Sequence, residues 1–392
     1  QGCPGGQPAA QPAYAAPQQA AYPGGGGGCT EKAGLPYALN WKAEGSTFFD
    51  EFNFQTNDPN AGSAEYLDKP NAFAKGVVSA SPGSAILKAG PKGTQPLKRM
   101  SAKVRSQRKW KYFLLALKFN HVPWGCGVWP AIWTTSPDAG WPNGGELDIL
   151  EYCNEETSRS SFHVGQANRC ALDQRELRKA GCPQFVDAEY NFTGHYDCVT
   201  NYPEHIGCAP NRLPLMTGEQ LASAPGVVAA EWTQNYLKLF YIPANAIPED
   251  LAMDRPQPDS WEQFVFAYYP FAASNANIPG SCPDPANVMK AQQLVLSLGF
   301  CGDWASKIWV NSTCANNMGA TDPNSFGPKG SQIGSQCLAV DPHNPMGQQP
   351  GGPMDCCTQY IYDENDQFGT EQYLAQNAYF DIEWLKVYQQ TR

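Results

Sequence analysis

Glycine and proline punctuate this chain so densely that few long helices fit between them. There are 37 Gly and 34 Pro in 392 residues. Between the breaks run short strand-like stretches such as Phe380-Asp-Ile-Glu-Trp-Leu-Lys-Val-Tyr388. Period-two alternation bounded by Gly, Pro and Asn is a strand signal, and few long amphipathic helical patterns occur. The expected class is all-β. A chain of this length can stack two sheets in a curved sandwich, which supplies an open cleft. A core of that size needs no covalent staples for stability.

One strand-like stretch carries an unusual load. Gly144-Gly-Glu-Leu-Asp-Ile-Leu-Glu-Tyr152 places Glu146, Asp148 and Glu151 within six residues, interleaved with Leu147, Ile149 and Leu150. Side chains two apart share a strand face, so Glu146 and Asp148 point the same way. Glu151 breaks parity, and one extra residue in a β-bulge at Ile149-Leu150 would restore it. Glu146 and Glu151 then behave as i and i+4, with Cα atoms roughly 13 Å apart. Two Glu side chains leaning inward would bring their carboxyl groups to about 5–6 Å, nearer the spacing of retaining glycosidases than of inverting ones. Like charges this close repel, which suits a reaction needing one protonated and one ionised carboxyl group. From spacing alone, a hard-cation site or a solvated acidic edge also stays open.

Four tryptophans lie just upstream, at Trp124, Trp129, Trp133 and Trp141. Flat aromatic rings stack on the apolar C–H faces of sugars, although tryptophan also fills cores. Trp129 and Trp133 are four apart and share a face of an extended strand.

With the lead-in Trp129-Pro-Ala-Ile-Trp133 and Trp141-Pro-Asn-Gly-Gly before Glu146-Leu-Asp148-Ile-Leu-Glu151, the chain resembles glycoside hydrolase family 16, closest to fungal-type endo-β-1,3-glucanases (laminarinases). Further segments match in order. Ser46–Phe54 resembles the opening strand, Ser101–Ser106 the strand before the Trp region, and Ser161-Phe-His163 the strand after the acids. Glu231–Tyr241 and Ile247–Asp250 resemble middle strands, Phe300-Cys-Gly-Asp-Trp304-Ala a cleft-lining segment, and Phe380–Tyr388 the closing strand. The resemblance implies a jelly-roll sandwich of the concanavalin A type with its cleft on the concave face. It implies Glu146 as nucleophile, Glu151 as general acid and base, and Asp148 tuning Glu146. Trp129, Trp133, Trp141, His163, Trp232 and Trp304 are the expected β-glucan contacts. No cofactor is expected; a structural calcium occurs in parts of the family, with Asp381 the residue to check. The family usually follows the last acid with a small residue, whereas here Tyr152-Cys153 follows.

Fourteen cysteines show no paired metal-ligand spacing, so disulfides and an oxidising, extracellular or cell-wall setting are expected. Adjacent Cys356 and Cys357 should take different partners. Sequons at Asn191 and Asn311 fit a secreted glycoprotein. The start at Gln rather than Met suggests a processed terminus. A net charge of −10 without basic patches argues against nucleic acid, and no 18-residue apolar run predicts a membrane span. Residues 1–34 are a Gln/Pro/Ala/Gly tail, which Cys3 and Cys29 could loop, tie to the body or link to another chain. Residues 35–392 read as the catalytic domain, with Cys-rich insertions near 166–226 and 311–376 and a short helix within 169–179. Beside the hydrolase stand two other readings. One is a cell-wall glucan transglycosylase. The other is a structural or carbohydrate-binding subunit whose tail mediates self-assembly or matrix contacts.

Overall fold

A computed structural model describes residues 28–187, 197–200, 206–271, 282–309, 312–314, 355–366 and 368–391, with the backbone of two short strands, Gln332–Ile333 and Cys337–Leu338. Asn191, Asn311, Cys3 and most of the tail lie outside the described residues.

Two antiparallel sheets stack face to face, as the punctuated alternation predicts. The six-stranded sheet runs Arg159–His163, Glu146–Glu151, Val128–Thr135, Gln293–Phe300, Lys103–Ser106 and Phe52–Phe54. The ten-stranded sheet centres on Tyr236–Pro243, Gly226–Trp232, Phe113–His121 and Tyr379–Gln390, and Tyr37–Glu44 pairs with the last of these. Register sorts the faces of the smaller sheet. Leu147 pairs with Thr134, and Leu150 and Leu296 both pair with Ile132, so these buried residues point into the sandwich. Full burial of each such leucine contributes roughly 1.5–3 kcal/mol. The alternate residues Trp129, Ala131, Trp133 and Thr135 face away from the core and line a cleft.

Gly226–Trp232 is buried along its whole length, which a two-layer sandwich alone would not require. An N-terminal strap and the Trp261 ring, 5.4 Å from Phe240, pack on the neighbouring strands. Glu31 N–H donates to Tyr268 Oη at 3.0 Å, and Ala33 N–H and Gly34 N–H donate to the Asp259 carboxylate at 3.0 and 2.8 Å. Lys238 Nζ donates to the Glu31 carbonyl, and Cys29 is bonded to Cys182. Beneath the strap, Tyr37 Oη and Tyr236 Oη donate to the buried Glu231 carboxylate at 2.8 and 3.1 Å, so this charge is hydrogen-bonded as burial demands. Cys29 therefore ties the tail to the body.

Several local expectations change. Ser46–Phe54 is mostly a 3-10 turn, Gly45–Glu51, that buries Phe48 and Phe49; only Phe52–Phe54 is strand. Gly45 turns the chain there with φ +64°, a conformation glycine adopts without strain. Ile247–Asp250 leads into a short helix, Glu249–Ala252, rather than a strand. The short helix expected within 169–179 is Gln174–Leu177, capped by Asp173. The second insertion contains helices Cys356–Tyr362 and Thr370–Asn377. Buried Arg99 fastens them, donating to the Ile361 carbonyl at 2.8 Å and to both Glu371 carboxylate oxygens. Further disulfides join Cys126–Cys314, Cys170–Cys282, Cys198–Cys208 and Cys301–Cys357, and Cys356 has a different partner from Cys357.

Candidate active site

The three acids project from one strand into one cleft. Glu146 pairs with Thr135, Asp148 with Trp133 and Glu151 with Ala131, and the register shifts between Asp148 and Leu150. The extra residue is a β-bulge at the expected Ile149-Leu150 position. It returns Glu151 to the face of Glu146 and Asp148, and all three line a cavity of roughly 660 Å³. Tyr152, the departure after the last acid, is fully buried and donates from Oη to the Pro123 carbonyl at 2.5 Å, so it leaves the cleft unchanged.

Each acid has its own partners. Trp129 Nε1 donates to Glu151 Oε1 at 2.9 Å, and the Trp141 side chain hydrogen-bonds Glu146. Ser161 Oγ donates to Asp148 Oδ2 at 2.6 Å, and His163 Nε2 lies 3.3 Å from the same oxygen. Burial, then the Asp148 charge, pushes Glu151 up to about 8, against the opposing pull of the Trp129 hydrogen bond. Burial and Asp148 also raise Glu146 well above the ordinary carboxylate range, while the Trp141 contact favours its anion. Groups this close titrate as a unit. Glu146, Asp148 and His163 offer atoms within 4.8 Å of one another that could hold a metal ion. A cation there would occupy the carboxylate oxygens that a nucleophile needs.

The cleft walls are aromatic and polar. Trp133 Nε1 donates to Ser297 Oγ at 3.1 Å. Trp141, 45% exposed, stands at the rim with its ring 6.3 Å from that of His163. Trp304 rides on the helix Gly302–Ile308, meets Trp129 edge-to-face at 5.7 Å, and carries the Arg159 guanidinium 4.4 Å over its ring. Asn154 steadies this wall, donating from Nδ2 to the Ala305 carbonyl at 2.9 Å and accepting from Gly127 N–H at 2.8 Å.

Comparison with known proteins agrees with this geometry. A family model described as an XgeA-like catalytic GH16 domain matches residues 52–329. The chain belongs to glycoside hydrolase family 16. It is 30% identical to a probable glycosidase of Schizosaccharomyces pombe over 74% of this chain and 66% of that one. It is 27% identical to the endo-1,3(4)-beta-glucanase xgeA of Emericella nidulans over 90% of this chain and 47% of that one. The chain thus spans about two thirds of the first relative and under half of the second. Among solved structures, GH16 Laminarinase 16A from Phanerochaete chrysosporium matches with TM-score 0.64 and 24% identity, covering 90% of this chain and all of that one. An elongating GH family 16 beta-1,3-glucosyltransferase matches with TM-score 0.65 and 22% identity over the same shares. Both establish the jelly-roll fold.

Within that family 16 frame, the structure brings together Glu146, Asp148, Glu151, Trp129, Trp133, Trp141, His163 and Trp304. Trp232 is a correction. It is fully buried in the ten-stranded sheet against Tyr112 and Phe113, at 5.1 and 5.6 Å, and is not among the residues lining this cleft. Asp381 lies on the ten-stranded sheet and accepts from Ser84 Oγ at 2.5 Å. Sequence reasoning passed over Ser161, which sits two residues before His163 on one strand face and was findable by parity. It also passed over Thr200, whose hydroxyl lies 2.9 Å from His163 Nδ1 and which no local pattern marks.

Proposed function

We propose that the chain is a secreted retaining hydrolase that cleaves internal bonds of β-1,3-type glucans. The observation that carries the reading is the bulged strand, which turns three carboxylates into one aromatic cleft with the Glu151 carboxyl pushed up to about 8. A carboxyl group in that range is still protonated at neutral pH and can act as general acid. Glu151 gives its proton to the glycosidic oxygen as the C–O bond breaks, and the Glu146 carboxylate attacks the anomeric carbon. Glu151, now ionised, takes a proton from water, whose oxygen displaces Glu146 and restores both groups. The Trp141 hydrogen bond favours the Glu146 anion that attacks. Trp129 ties the orientation of Glu151 to a sugar-facing ring. The glucan substrate is supported by the relatives' printed activity, endo-1,3(4)-beta-glucanase. Secretion is supported by the disulfides, which persist in oxidising compartments. The test is reducing-end release from laminarin, with Glu146→Gln as control. The proposal expects release by the wild type and almost none by the variant; a wild type inactive on every β-glucan offered would overturn it.

A further inference from the structure

We infer that Thr200, carried on a disulfide-closed insert, is a positioning residue for the acids and acts through the His163 ring. The inference rests on the catalytic reading of Glu146 and Asp148.

The insert is built into the edge of the catalytic sheet. Cys198 and Cys208 are bonded across ten residues. One arm pairs with the strand end, where Phe162 N–H donates to the Cys208 carbonyl at 2.9 Å and Cys208 N–H returns a bond at 3.0 Å. The other arm does the same, with Val164 N–H to the Cys198 carbonyl at 3.0 Å and Thr200 N–H to the Val164 carbonyl at 2.9 Å. The disulfide thus clamps both arms onto residues 162–164. The fit is tight: a Cβ on Gly207 would lie 2.1 Å from the Phe162 carbonyl oxygen and 2.9 Å from His163 Nδ1.

Hydrogen counting then fixes the ring. The single Ser161 hydroxyl proton goes to Asp148 Oδ2 at 2.6 Å. Ser161 Oγ can therefore only accept from His163 Nε2, 3.0 Å away. In the neutral imidazole, which has one N–H, a proton on Nε2 leaves Nδ1 to accept, with Thr200 Oγ1 the donor at 2.9 Å. Thr200 and His163 are each only 9% exposed, so water is a poor substitute. The hydroxyl selects the tautomer, and that tautomer aims Nε2–H at Ser161 and Asp148, holding the Asp148 carboxyl against Glu146.

The test combines ring ¹⁵N spectra of histidine-labelled protein, the His163 signals assigned by their loss in His163→Gln, with steady-state kinetics on laminarin. Wild type should show His163 as the Nε2–H tautomer. Thr200→Val, close to isosteric, should mix the tautomers and lower kcat roughly 3- to 10-fold, the worth of one hydrogen bond, with KM within about twofold. Thr200→Ser should restore both spectrum and kcat. An Nδ1–H tautomer or an imidazolium in wild type, or Thr200→Val with the wild-type spectrum and kcat, would overturn the inference. If no glucan is cleaved, the proposed function falls, while the ring spectrum still decides whether Thr200 sets His163.

Discussion

Replacing Glu151 by glutamine should make the protein more stable, and the gain should grow with pH. In the unfolded chain this carboxyl ionises near 4.5; in the folded protein burial and Asp148 raise it to about 8. Between those values the folded state holds a proton that the unfolded state has lost, so stability falls as pH rises. At pH 7 the difference spans about 2.5 pKa units, or about 3 kcal/mol at 1.36 kcal/mol per unit. Water in the open cleft screens part of this, leaving a net cost between about 1 and 3 kcal/mol. Gln removes the titrating group yet keeps an oxygen for the Trp129 Nε1 hydrogen bond. Calorimetric or urea unfolding of both proteins at pH 4 and pH 7 measures the effect. The variant should match wild type at pH 4, where both states carry the proton, and exceed it by about 1–3 kcal/mol at pH 7. A Glu151→Gln protein no more stable than wild type at pH 7, or one whose gain is the same at both values, would refute the electrostatic argument.

Two further outcomes follow from the same geometry. For wild type, kcat/KM should fall on an alkaline limb centred near the Glu151 value of about 8, because only the protonated carboxyl can act as acid; a profile flat through pH 9 would remove Glu151 from that role. The two tryptophans should separate by consequence. Trp232→Ala should cost roughly 3–5 kcal/mol of stability by opening a core cavity, whereas Trp304→Ala should chiefly raise KM; unfolding and kinetic measurements on both would expose a reversal.

The acids were legible because period two is strict. Once Glu151 was out of phase, a bulge at Ile149-Leu150 was the cheapest way to put three carboxylates on one face, and the register shift lies there. Trp129 and Trp133 were legible for the same reason. Trp232 was not, because alternation reads the same whether a strand face meets a cleft or a core; only its sheet decides, and sheet membership is a long-range fact. Ser46–Phe54 misled because Phe48 and Phe49 suit a strand yet are buried by a turn. Thr200 lies 37 residues from His163, and only the Cys198–Cys208 clamp brings them together. Even cysteine counts point to staples without saying which loops they close.

On this proposal Glu146 and Glu151 perform a double displacement across the bulge. Following the anomeric protons by NMR as the protein cuts a β-glucan tests it most directly. The newly formed reducing ends should be β at first and become α only by slow mutarotation. New ends that are first α would mean a single displacement, and would contradict the spacing argued for these two carboxylates.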